Sequence, residues 1–309
     1  MKRDSSVFRP SALLSDLSRF FSYDALIQAS KDRLGLDDEE FIDLLADLLY
    51  ENLRKKVKWK WPLVAKALTA ASPGPLKQHE WIEFLDLIKR IFPDLSALKI
   101  AEAVAPEMTG SKAPTAILSF NAEPMLYALI HANIAAAAAS GAKLKELRVL
   151  DRVTRGISFR RPGHVPYIFC HGLLPVDGGV PTFAKTVARG NLVFSEGDYL
   201  QLANSAFSWQ SALFLGTAVL RWTVFVGVSF SDANLRRWLA WIHASKRRDL
   251  QNKKTRGEAY GHYWIRPQTR DATLNRWIEA SVRHLGVRLI WLQDWNELGT
   301  CFKAMLAEK

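Results

Sequence analysis

Apolar residues recur at helical spacing through the first third of the chain. After the acidic run Asp37-Asp38-Glu39-Glu40 come Phe41, Leu44, Leu45, Leu48 and Leu49, which share one face of a helix. Pro62 suits the first turn of a following short helix, where its missing amide costs nothing. Trp81, Phe84, Leu85, Ile88 and Ile91 make a second stripe over 80–92, stopped by Pro93-Asp94, and 95–104 forms a further helix. The spacing predicts helix through 10–110 and no strand before residue 114.

Beyond that point short apolar runs alternate with helical stripes. Ala116-Ile117-Leu118-Ser119-Phe120, bounded by Pro114 and Asn121, suits a buried strand, and an Ala-rich helix follows over 124–139. Further strands are expected at 165–170, 192–194, 223–228, 260–265 and 287–292. Helices are expected at 199–203, 208–220, 232–244, 272–285 and 295–307. Continuous apolar strands between helices predict an α/β fold, a Rossmann-like parallel sheet with helices on both faces. The division expected is an N-terminal helical subdomain over 1–112 and a Rossmann-like core over 113–309. The charged stretch from Lys246-Arg247-Arg248 to Lys253-Lys254-Thr255-Arg256 is expected to be a linker.

Composition removes several function classes. Two cysteines, Cys170 and Cys301, provide neither a Cys-x-x-Cys zinc ribbon nor a secreted disulfide framework, so no metal is expected. The stretches near 122–139 and 212–228 are broken by Glu, His, Arg or Gly and are expected to be buried elements, not membrane spans. Met1-Lys2-Arg3-Asp4 leads into no apolar signal segment, so the expected location is cytoplasmic. The net charge of +11 favours anionic partners such as nucleotides, acidic proteins or nucleic acid.

Three polar clusters sit where strands end, the position at which open parallel sheets bind ligands. They are Ser119-Phe120-Asn121-Ala122-Glu123, Cys170-His171-Gly172, and Gly227-Val228-Ser229-Phe230-Ser231-Asp232-Ala233-Asn234. A histidine can act as a base toward a ribose hydroxyl at neutral pH, an asparagine can orient water, and a glycine lets backbone approach a ligand closely. Each has a plainer reading: Asn121 as a turn residue, His171 as a satisfied core histidine, and Ser231 or Asp232 as a helix cap.

The order of these clusters resembles the sirtuin-like family, especially the bacterial domains of antiphage defence. That family shows Thr-x-Asn-aromatic-Asp after a strand and an apolar strand ending in His-Gly. A Glu/Asp-x-Tyr segment comes next, then Gly-aromatic-Ser-x-x-Asp-x-Asn-Leu. The counterparts here are Ser119–Glu123, Tyr167–Gly172, Glu196-Gly197-Asp198-Tyr199 and Gly227–Leu235, so the resemblance covers about 115–245. It implies a catalytic pair, Asn121 positioning water and ribose and His171 acting as base. It also implies NAD-binding positions at Ser119, Glu123, Gly227, Ser229 and Asp232, with Gly227 and Ser229 beside the adenosine ribose. Glu123 stands where the family has an Asp that contacts the nicotinamide amide, and Ala122 replaces an aromatic. The family's opening strand and Gly-Ala-Gly-x-Ser loop, which cradles the pyrophosphate, has no counterpart before Pro10. The expectation is that a preceding segment supplies it, the alternative being a natural variant without it, and that the chain as given binds NAD poorly.

No cysteines lie in Leu173–Gly190, where deacetylating sirtuins insert a zinc module. The implied reaction is hydrolysis of NAD to ADP-ribose and nicotinamide, as a defence effector. Such effectors form homo-oligomers or pair with a separate sensor, a hexameric ATPase or an Argonaute-like subunit. Two rivals are a catalytically inactive sirtuin-like scaffold that binds nucleotide or a protein, and a basic nucleic-acid-binding protein. The second rests on charge and on Arg54-Lys55-Lys56-Val57-Lys58-Trp59-Lys60-Trp61, where cations alternate with stacking surfaces. The plainer reading of that run is a solvated helix end with both tryptophans packed inward.

Overall fold

The computed structural model describes residues 23–70, 76–108, 113–141, 149–154, 163–177, 192–193, 197–198, 208–252 and 261–307. The leading region is helical, as the periodicity predicts. It holds α1 (Tyr23–Leu34), α2 (Asp38–Val57), α3 (Trp61–Thr69), α4 (Gln78–Ile91) and α5 (Ser96–Val104). Asp37 caps α2 by accepting from the Glu40 amide at 2.8 Å, and acidic residues in its first turn oppose basic ones in its last, both favourable to the helix dipole. The Glu80 carboxylate reaches back to the Lys77 amide at 2.6 Å and starts α4. The stripe Trp81, Phe84, Leu85 and Ile88 is buried as the spacing requires.

Among the described residues six parallel strands follow: β1 (Ile117–Ser119), β2 (Leu150–Val153), β3 (Val165–Phe169), β4 (Thr223–Val226), β5 (His262–Pro267) and β6 (Val287–Leu292). They form two three-stranded sheets, ordered β1-β3-β2 and β4-β5-β6, where one sheet was expected. The interleaved helices are α6 (Met125–Ala139), α7 (Trp209–Leu220), α8 (Ala233–Asn252), α9 (Ala272–Arg283) and α10 (Leu298–Ala307).

Side-chain alternation shows how the two sheets are held in line. In the first, Ile117, Tyr167 and Phe169 join a core that includes Leu98 and Ala101 of α5, while Leu118, Ile168 and Cys170 meet Trp209 and Leu213 of α7. In the second, Val224, Val226 and Ile265 share a cluster with Ile100 and Ala103 of α5, while Phe225 and Trp264 join Phe214 and Ala218 of α7. Helix α5 therefore bridges both sheets on one face and α7 bridges both on the other. Among the described residues β1 and β4 each lie at an edge of their sheet and are not paired with each other.

The largest core runs without a break from α2–α5 into α6, β1 and β3. Helix α6 is apolar on nearly every side, as a core helix must be. Tyr127 on it meets Tyr167 and Phe169 at 5.3 and 6.1 Å between ring centres, and Trp81 stacks on His131 at 5.6 Å. Leu68, Ile88 and Leu129 are fully buried there, each contributing about 1.5–3 kcal/mol.

Three local expectations are corrected. Strand β2 was not foreseen, because Leu150-Asp151-Arg152-Val153 carries two charges at its centre. Asp151 meets His164 Nδ1 at 2.8 Å, and Arg152 donates to the Thr69 carbonyl at 3.2 Å, so both charges are accommodated. Helix α8 runs on to Asn252, which places Lys246-Arg247-Arg248 on a helix and not in a linker. Trp59 is 77% exposed and only Trp61 packs inward, with its indole nitrogen donating to the Asp177 carbonyl at 3.1 Å. In that basic run Arg54, Lys55 and Lys60 pair with Asp47, Glu51 and Glu83, which uses part of its charge internally. The helix expected at 199–203 and the segment Glu196–Tyr199 lie, apart from 197–198, outside the described residues. Among the described residues no helix is long and apolar enough to cross a membrane.

Two buried histidines give the fold an acid limit. Burial, with a lesser push from His164, lowers His131 from 6.5 to about 3, and burial beside Lys246 and His243 lowers His262 to about 4. The unfolded chain binds these protons first as pH falls, so stability is full above about 6.5, declines below it, and levels off near the folded values. Thermal unfolding followed by circular dichroism is expected to show a midpoint that drops steadily from pH 7 to pH 5. His131→Phe, which keeps a ring in the stack, is expected to make that drop shallower.

Candidate active site

Strands β1 and β3 end side by side. The register pairs Ser119 with Phe169, and one step on the Cys170 amide donates to the Ser119 carbonyl at 2.8 Å. The Leu174 amide then donates to the Ala122 carbonyl at 2.9 Å, so the loops carrying Asn121 and His171 leave the sheet together. Gly172 makes the turn with φ 77°, in the left-handed region that glycine enters without penalty. The Val193 amide donates to the His171 carbonyl at 3.1 Å and so lies against this loop; residues 192–193, where a strand was expected, belong to no strand, and residue 194 lies outside the described residues.

His171 is buried, and the Phe120 ring meets it edge-on at 5.2 Å. Burial lowers its pKa below the usual histidine value, against opposing pulls from the Asp232 carboxylate and a Phe120 backbone hydrogen bond. Near neutral pH the imidazole is therefore largely uncharged and able to take a proton. The Asp232 pull also shows that the third cluster, from the second sheet, lies within electrostatic reach of His171. The aromatic contact of Phe120 with Phe214 of α7, at 6.3 Å, ties the same region together.

Asn121 lies exposed just beyond β1. Its side-chain oxygen accepts from the Glu123 amide at 3.3 Å, and its side-chain nitrogen donates to Glu123 Oε1 at 3.4 Å. Ser119 is buried, and its hydroxyl donates to the Asn121 carbonyl at 2.9 Å while accepting from the Asn121 amide at 3.2 Å. The second Glu123 oxygen accepts from the Met125 amide, at the start of α6, at 2.9 Å. Ser119 and Glu123 thus shape the loop that presents Asn121.

The loop after β4 is more open. Gly227 has φ 70° and is exposed, and a Cβ there would meet nothing within 4 Å, so a ligand has free approach to its backbone. The Ser229 hydroxyl shares a 2.6 Å hydrogen bond with Ser231, and Phe230 turns back at φ 58° to bury its ring against Phe225 and Trp264. Asp232 caps α8, accepting from the Asn234 and Leu235 amides at 2.7 and 3.2 Å. The capping reading of Asp232 therefore holds locally, and its charge acts on His171 as well.

The structure brings the Asn121 and His171 loops together directly and the Gly227–Asp232 loop to them through Asp232. Reasoning from sequence missed the hydrogen-bonded clamp of Glu123 on Asn121, although the Asn-x-Glu spacing was its visible sign. Among the described residues no group of three or more His, Cys, Asp or Glu side chains is set to hold a metal ion.

No curated protein matches the chain. A family match begins after β2, so Ser119, Asn121 and Glu123 lie ahead of it. Residues 160–286, from the approach to β3 through the end of α9, match the sequence model described as a SIR2-like domain, a stretch that includes His171 and the Gly227–Asp232 loop.

Proposed function

We propose that this protein hydrolyses NAD to ADP-ribose and nicotinamide, with Asn121 and His171 as its catalytic residues. The observation that carries this reading is the juxtaposition of the two on adjacent parallel strand ends, where a neutral, buried imidazole lies within reach of Asp232. In the reaction the bond between the ribose C1′ and the nicotinamide nitrogen breaks and nicotinamide leaves with the bonding electrons. A water oxygen then bonds to C1′, and its proton passes to solvent. Asn121 orients that water and the ribose, and His171 accepts a hydrogen bond or proton from a ribose hydroxyl. Gly227 and Ser229 line the adenosine ribose, with Ser119, Glu123 and Asp232 shaping the loops around it. The biological setting that goes with this activity is antiphage defence, with the chain acting as a homo-oligomer or with a separate sensor, ATPase or Argonaute-like partner in the cytoplasm.

One observation favours a second reading, a scaffold that binds nucleotide without turnover. Ser119, Glu123 and Asp232 spend their hydrogen bonds on their own loops. Incubation with NAD and detection of free nicotinamide separates the two, since a scaffold would bind NAD in a calorimeter and release nothing.

Asn121→Ala and His171→Ala are each expected to lower NAD cleavage by about 10²–10⁴-fold with unchanged circular dichroism. Parent-like cleavage by both variants would remove the assignment. Asp232→Asn keeps a capping oxygen and removes the charge that raises the His171 pKa. A base works in its unprotonated form, so the acid limb of the pH–rate profile is expected to move to lower pH in this variant, with little change in melting temperature.

A further inference from the structure

We propose that Glu123 is a positioning residue that holds the Asn121 carboxamide in one of its two orientations, and that its hold is strongest while its carboxylate is charged. The proposal rests on the reading of Asn121 as a catalytic group and adds a control on it.

A carboxamide is nearly symmetrical in shape, so a half-turn about its last bond exchanges acceptor and donor with little steric cost. At Asn121 the two ends meet unlike neighbours. Oδ1 faces the Glu123 amide at 3.3 Å, and Nδ2 faces Glu123 Oε1 at 3.4 Å. The flipped orientation would set oxygen against carboxylate and N–H against N–H, two repulsive contacts in place of two attractive ones. The clamp is itself fixed, because the other carboxylate oxygen accepts from the Met125 amide at 2.9 Å. With Asn121 locked, the donor and acceptor valences left over face the open side of the loop in a set order. A protonated Glu123 would present a hydroxyl that can donate to the amide oxygen, which removes one of the two repulsions and narrows the preference for one orientation.

The surroundings place that change in a useful range. Among the described residues Glu123 lies within electrostatic reach of Tyr50 from α2 and Tyr167 from β3, with Arg54 acting on Tyr50 from further out. Burial pushes both phenols above their ordinary values, against a hydrogen bond from Ser119 at Tyr167, so they stay neutral. Among the described residues no cation is a cause of the Glu123 shift. Burial raises Glu123 to about 7 against the opposing pull of the Met125 amide. The clamp is therefore tightest above neutrality and loosens as pH falls through that value.

Side-chain amide resonances of Asn121, identified by their loss in Asn121→Ala, can be followed from pH 5.5 to 8.5 in the full 309-residue chain without NAD. They are expected to shift with a midpoint near 7 in the parent and to stay flat in Glu123→Gln. A flat response in the parent, or an unchanged midpoint in Glu123→Gln, would overturn the proposal whether or not the protein cleaves NAD. The parent titration needs no variant, so a folding defect in Glu123→Gln would not spare the idea. In the cleavage assay, the limb near pH 7 should vanish in Glu123→Gln and kcat should fall on the order of tenfold with KM unchanged. If the resonances titrate as expected while the parent releases no nicotinamide, the clamp stands and the hydrolase reading fails.

Discussion

The position of every candidate group on the first sheet depends on the register between β1 and β3. Side chains alternate along a parallel strand, so a slip of one residue would turn each one to the opposite face. Ser119 opposite Phe169, followed by the Cys170 amide on the Ser119 carbonyl, is the rung that fixes this register at the site. It is supported from one face by Tyr127, which wedges against Tyr167 and Phe169, and from the other by Trp209 and Leu213 packed near Ile168 and Cys170. The aromatic core beneath the sheet therefore has a consequence at its end, since it decides which way Asn121 and His171 leave the strands.

Local electrostatics follow from the same packing. Around this site the described structure places few opposite charges, and the dominant influence on its titrating groups is removal from water. Burial moves the imidazole of His171 down and the carboxyl of Glu123 up, so both neutral forms gain at the expense of the charged ones. Two titratable groups on neighbouring loops thereby approach neutrality from opposite sides. The Asp232 carboxylate moderates the first and the Met125 amide moderates the second. Each moderating group also caps or starts a helix, which couples local backbone order to charge state.

Much of the architecture was legible in the sequence because it depends on periodicity. The stripe Trp81–Ile88 and the five buried residues of β3 leave no other packing solution in water. Strand β2 was not legible, because Asp151 and Arg152 look like surface residues until His164 and the Thr69 carbonyl, distant in sequence, are seen to meet them. The end of α8 was misjudged for a related reason, since cations suit both a solvated loop and a helix C-terminus. At the site, motif order pointed to Asn121, His171 and the Gly227 loop. It could not reveal that Glu123 bonds to Asn121, or that Asp232 both caps α8 and acts on His171, because those facts depend on side-chain direction.

The break between the two sheets has a further consequence for how this molecule can associate with others. A free strand edge on an outer rim is a template on which copies stack without limit, and proteins usually blunt such rims with charge or proline. Among the described residues β1 and β4 each lie at an edge of their sheet, with α5 packed on one face of both sheets and α7 on the other. With both faces occupied by helices, a second sheet has no face of this seam to stack on, and only the strand edges themselves are left to bond.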